Sequence, residues 1–275
     1  WFPKGHKLSL EPVLTDQNDD VRKYKSRVDT PYGVLEIELF ESIRQSITIA
    51  GNPVKSEVDF NKILWYIKEV RNYTDDIREK IEHTRNEVGD DCLITFFIPQ
   101  PYELYCIFSR EEAIYMEYDH PEKFFELQRE IFDTVMHVIP AAIEAGADLI
   151  LYGSVGTELY SPEIFEKYLL APSIAYASEI RKHGGVSSFH LCGKGWEYLK
   201  RGYFEKIDVD ILEGLALYPT GDIKNIKDAR EIIPENIIIR GSIDLDFLLK
   251  ATPKEVYEAT MDQINQIASR KHMVS

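Results

Sequence analysis

The chain has 275 residues, with 32 basic against 47 acidic side chains and a net charge of −15. A field of that sign repels polyanions, which excludes nucleic acid as a partner, and no apolar run is long enough to span a bilayer. Hydrophobic residues make up 44% of the chain and aromatics 12%, enough for a sizeable core, so a disordered or fibrous class is excluded as well. Three scattered cysteines, Cys92, Cys106 and Cys192, form no disulfide framework and point to a reducing, cytoplasmic compartment. A first residue Trp1 and an end just after a predicted helix read as a chain trimmed at both ends.

In chain order, residues 1–58 form a lead-in segment with a hairpin, β-prone over Gly33–Phe40. From Asp59, read as an N-cap, Phe60, Ile63, Leu64, Ile67 and Val70 recur at helical spacing. A second helix is capped by Thr74 and stopped by Gly89. Then strand and helix alternate: strand Leu93–Ile98, helix Pro121–Ala145, strand Leu149–Tyr152, and a helix opened by Ser161-Pro162 with a kink expected at Pro172. Strand Val186–Leu191 follows, then a helix near Trp196–Gly202, strand Ile211–Leu217, helix Ile223–Ile232 and strand Ile237–Ile239. Thr252-Pro253-Lys254-Glu255 is a capping box for a last helix reaching about Ser269. This order implies an α/β fold, a parallel sheet covered by helices. Without a Gly-rich dinucleotide loop, the TIM (β/α)8 barrel, as one domain over 1–275, is preferred to an open sheet.

A barrel gathers its functional groups at the C-terminal strand ends. There stand His190 and Cys192, Ser154 in the Gly153–Glu158 turn, Glu213, and Asp244 after Arg240-Gly241. On a strand, residues i and i+2 face one side, so His190 and Cys192 aim into one space while Leu191 faces the helices. An imidazole nitrogen and a thiolate suit zinc, which in a catalytic site takes three protein ligands. The competing reading is a buried thiol beside a hydrogen-bonded core histidine. Glu213 and Asp244 are candidate acid–base groups, since a carboxylate at the mouth of an apolar strand needs a partner or a purpose; an ion pair with a neighbouring cation is the plain alternative. For Ser154, Gly153 and Gly156 the alternative is a tight turn. Nucleophile-elbow, P-loop and HExxH patterns are absent.

The order Ala147-Asp148, strand, Ser161-Pro162-Glu163-Ile164-Phe165, helix, His183-Gly184-Gly185, strand, His190-Leu191-Cys192-Gly193, Gly221-Asp222, Gly241-Ser242-Ile243-Asp244 and Thr252-Pro253-Lys254-Glu255-Val256 resembles the uroporphyrinogen decarboxylase-like superfamily. The resemblance runs from about Phe96 to the C-terminus and implies a TIM barrel with its site at the strand ends. His190 and Cys192 match the first two zinc ligands of its methylcobamide:coenzyme M methyltransferase branch; the third, a later cysteine, is expected beyond Ser275, with Glu213 or Asp244 as substitutes. The branch implies zinc as cofactor, a small-molecule methyl donor or thiol acceptor, and a corrinoid on a partner protein, since this chain lacks the Asp-x-His-x-x-Gly cobalamin motif. Barrels of this kind often pair as homodimers. The alternatives are a cofactor-free decarboxylase using an acid such as Asp244, disfavoured because the Arg-Gln-Ala-Gly-Arg segment of the decarboxylases is missing, and a non-catalytic binding barrel.

Overall fold

A computed structural model describes residues 2, 5–42, 45–50, 53–102, 110–154, 157, 161–267 and 272–273. Its contacts divide the chain into two compact units, residues 1–92 with 101–146, and residues 93–100 with 147–275. No helix among the described residues is long and apolar enough to cross a membrane.

In the first unit the expected hairpin is part of a larger element. Four strands, β1 (Val13–Gln17), β2 (Val21–Thr30), β3 (Gly33–Ser42) and β4 (Gln45–Ile49), pair antiparallel in chain order. Alternation decides which face is inward: Ser26 and Val28 of β2 lie opposite Ile37 and Leu35 of β3, and all four are buried. The other face carries charge, Arg27 opposite Glu36 and Lys25 opposite Glu38. The β2–β3 turn closes at Gly33, whose φ of +100° is open to glycine.

The first unit also holds α1 (Glu57–Glu69), α2 (Thr74–Val88), α3 (Arg110–Asp119) and α4 (Pro121–Glu144). Two caps differ from expectation. Ser56, not Asp59, caps α1: its hydroxyl accepts from the Asp59 N–H at 3.3 Å, and the Asp59 carboxylate reaches back to the Lys55 N–H at 3.2 Å and the Ser56 hydroxyl at 2.8 Å. Asp59 therefore holds the third helical position of a reciprocal capping arrangement. Thr74 is the first residue of α2 and donates backwards to the Arg71 carbonyl at 2.9 Å, because a 3-10 turn over Val70–Tyr73 precedes the helix. Gly89 ends α2 at φ +62°, as its position predicted.

Among the described residues the second unit is built on six parallel strands, β5 (Thr95–Phe97), β6 (Leu149–Ser154), β7 (Val186–Leu191), β8 (Ile211–Glu213), β9 (Ile238–Arg240) and β10 (His272–Met273). They neighbour one another in strict chain order, the order of a (β/α)8 barrel, and the five strands read from the sequence are all among them. Between them run α5 (Pro162–Tyr168), α6 (Leu170–Lys182), α7 (Trp196–Lys200), α8 (Tyr203–Ile207), α9 (Ile226–Ile232), α10 (Leu245–Lys250) and α11 (Pro253–Ile267). The Ser161 cap and the Thr252–Glu255 box form as predicted, the latter with the Thr252 N–H on the Glu255 carboxylate at 2.7 Å. The helix expected to kink at Pro172 instead breaks at Leu169. Pro172 falls in the first turn of α6, where a missing N–H leaves no bond unmade.

Strand β8 is shorter than the apolar run that announced it, because Gly214 at φ +74° turns the chain out of the extended conformation. The remaining run is still used: Leu215 is buried and Leu217 bridges to Ile223. Tyr152 of β6 and Phe189 of β7 join Phe165 of α5, Tyr176 of α6 and Phe204 of α8 in an aromatic core. Ring centroids lie 5.2–6.0 Å apart, mostly edge to face. Phe189 thus points to the helices. By the two-residue period of β7, Ser188 and His190 point the other way.

Candidate active site at the strand ends

The register brings four residues into one row across the sheet: Gly153 of β6 beside His190 of β7, His190 beside Glu213 of β8, and Glu213 beside Arg240 of β9. Side chains in such a row share a face, and three of these connect. Arg240 donates to Glu213 Oε2 at 2.9 Å, and Glu213 Oε1 is 3.1 Å from His190 Nδ1. Ser188, one step earlier on β7, adds its hydroxyl to Glu213 Oε2 at 3.3 Å. A carboxylate only accepts, so Nδ1 carries a proton and donates it, and Nε2 is the ring nitrogen left to face the site.

Hydrogen bonding toward Cys192 first, and to Glu213 next, pushes the His190 imidazole up to about 9, against burial that acts the other way. Glu213 is held below the usual carboxylate range, by the His190 bond first and then by the Arg240 charge, although its side chain is only 13% exposed. An ionised, nearly buried carboxylate therefore sits between two cations, the arrangement in which a buried charge is tolerated.

Two glycines make the room. A Cβ on Gly214 would stand 2.6 Å from His190 Cε1 and 2.8 Å from Nδ1, so no other residue there leaves the ring in place. A Cβ on Gly153 would collide with the backbone oxygen and nitrogen of His190. Beyond the strand, the Thr157 hydroxyl and N–H both donate to the Cys192 carbonyl, at 2.8 and 3.2 Å, and fix the turn that presents the thiol.

Of the residues singled out from sequence, His190, Cys192 and Glu213 come together. Asp244 does not join them: it caps α10 by accepting from the Phe247 N–H at 2.9 Å and takes a hydrogen bond from Thr220. Those bonds, Thr220 first and Phe247 next, hold its carboxyl below the usual range. Ser154 ends β6, and its side chain, like Gly156 and Cys106, lies outside the described residues. Cys92 is exposed. Arg240, Ser188 and Gly214 were missed. Arg240 and Gly214 stand at strand ends and were open to the same positional argument as Glu213, whereas Ser188 carries no such signal.

Among the described residues no group of three or more His, Cys, Asp and Glu side chains is set to hold a metal ion. His190 and Cys192 fit two zinc donors in kind: a nitrogen and a sulfur two residues apart at a strand end, with the far side of the imidazole bonded to a carboxylate, as metal-bound histidines commonly are.

Parallel strands in barrel order, with a connected polar row at their C-terminal ends, define an α/β-barrel protein. The chain belongs to the uroporphyrinogen decarboxylase (URO-D) family, a family of enzymes whose model matches residues 42–275. It is similar in fold to a methyltransferase from Methanosarcina mazei, with a TM-score of 0.64 and 17% identity over 85% of this chain and 67% of that one. A B12-independent methionine synthase from Shewanella sp. W3-18-1 is also similar, with a TM-score of 0.50 and 15% identity over 72% of this chain and 58% of that one. A curated relative, uroporphyrinogen decarboxylase from Carboxydothermus hydrogenoformans, is 26% identical over 173 residues, 58% of this chain and 47% of the relative. The chain thus spans about half the length of that relative.

Proposed function

We propose that this protein is a zinc-dependent methyltransferase that moves a methyl group between a small molecule or thiol and a corrinoid carried on a partner protein. The observation that carries the reading is His190 on the site face of β7, with Glu213 behind the imidazole and Cys192 two residues on, just past the strand end. The similar solved structure named as a methyltransferase supports it in fold. Zinc bound there would keep a thiol acceptor as a nucleophilic thiolate at neutral pH. His190 and Cys192 supply two ligands, and the third is expected from beyond Ser275. Glu213 orients His190, and Arg240 and Ser188 hold Glu213. In this reading Asp244 shapes the loop after β9 and takes no part as ligand or acid, and the protein works in the cytoplasm.

The test is metal content. Protein purified without chelators and supplied with zinc is expected to hold about one equivalent, and Cys192→Ser to lose it. A protein that takes up no zinc overturns the reading. The decarboxylase alternative is favoured by the name of the curated relative; carbon dioxide release from uroporphyrinogen by metal-free protein would establish it. Neither metal nor turnover would leave a binding barrel.

A further inference from the structure

We infer that Arg240 and Gly214 are positioning residues that set the ring orientation of His190, one by gripping Glu213 and the other by leaving the ring a floor. The inference rests on the proposed metal role for His190 only where metal is read out.

An imidazole on a strand end turns about two side-chain bonds, so a single useful orientation must be imposed from outside. Here it is imposed from three sides. The Gly153 backbone lies against the His190 backbone, closer than any Cβ allows. Gly214 lies under the ring, where an added methyl would come within 3.3 Å of Cε1, Nδ1 and Nε2 alike. Glu213 takes the Nδ1 proton with one oxygen while its other oxygen is occupied by Arg240 at 2.9 Å and Ser188 at 3.3 Å. With Oε2 occupied, Oε1 faces the histidine. Without Arg240 the carboxylate keeps one hydroxyl partner on that oxygen and can rotate away, and the ring loses its anchor. Arginine suits the task better than lysine because its donors lie in a rigid planar fork.

The experiment compares wild type with Arg240→Gln, Arg240→Lys and Gly214→Ala at one fixed pH, using protein labelled with 15N in the histidine rings. Wild type is expected to show a His190 Nδ1–H signal protected from solvent exchange. Arg240→Gln and Gly214→Ala are expected to lose it, and Arg240→Lys to keep a weakened one. The second readout is Co2+ binding followed by its visible absorption, expected to weaken about 10-fold or more in Arg240→Gln and to recover largely in Arg240→Lys. A merely structural Arg240 would lower the melting temperature and leave the ring signal in place. If Arg240→Gln keeps the protected signal, the inference falls. It falls equally if wild type binds Co2+ and Arg240→Gln binds it within about twofold of wild type. Wild type that binds no Co2+ overturns the metal reading instead, and the ring signal then decides the positioning role by itself. If circular dichroism shows Gly214→Ala unfolded, the two Arg240 variants decide.

Discussion

Glu36 on β3 and Glu213 on β8 are each a strand glutamate held by two cationic partners, yet they belong to different kinds of surface. Glu36 meets Lys25 at 2.5 Å and Arg27 at 2.6 Å across an antiparallel pair whose other face is the core. Its side chain is 31% exposed and that of Arg27 65%. Glu213 meets His190 and Arg240 along a parallel row, at 13% exposure, with aromatic packing behind the strands. Lateral pairing on a solvated face is screened and weak, whereas the same contacts around a nearly buried carboxylate are screened less. The composition of a charged pair is therefore no guide to its role, and the sheet that carries it is.

The comparison breaks first at Phe189, whose ring turns β7 so that His190 faces the site. Phe189→Ala is expected to cost about 3–5 kcal/mol of stability, read by denaturant unfolding. A loss below about 1 kcal/mol would show that the aromatic packing does not set the facing of β7. Next, Glu213→Leu leaves a half-buried Arg240 without its carboxylate. It is expected to cost about 1–3 kcal/mol after allowance for exposure, and Arg240→Met in the same background to recover part of that loss. Additive losses in that cycle would mean that the two side chains do not act together. Glu36→Gln should change stability by about 1 kcal/mol or less, and the difference should vanish at about 1 M salt.

The smallest expected effect is a pH dependence. The Glu36 carboxyl is held below the usual carboxylate range, by the Lys25 bond first and the Arg27 bond next. A depressed carboxyl contributes stability that is present above its unfolded value and lost as pH falls through the folded one. Wild type and Glu36→Gln should therefore differ slightly at neutral pH and converge in acid below that value. Divergence towards low pH, in paired melting curves, would reverse the assigned sign.

Much of the second unit was legible because its strands are short apolar runs separated by Gly, Pro and cap residues, and each of the five runs became a parallel strand. The first unit was less so. A half-exposed antiparallel sheet dilutes its apolar signal with charge, and only Gly33–Phe40, within β3, carried enough of it to be read as β-prone. At the site, the strand period led to His190, and the same position at a neighbouring strand end led to Glu213, which the fold joins to it. The same positional rule also brought in Asp244, which the fold uses as a helix cap. A carboxylate near a strand end has two uses, and sequence does not separate them.

By itself the sequence determined the parallel α/β order and the family, because periodicity, caps and motif order are local. Only the tertiary structure decided that β8 stops at Glu213, that β9 supplies an arginine to it, and that Gly214 leaves the space under the His190 ring. Those facts depend on the register between strands 23–27 residues apart in sequence. Register is set by how whole strands and their helices pack, which no short stretch of sequence contains.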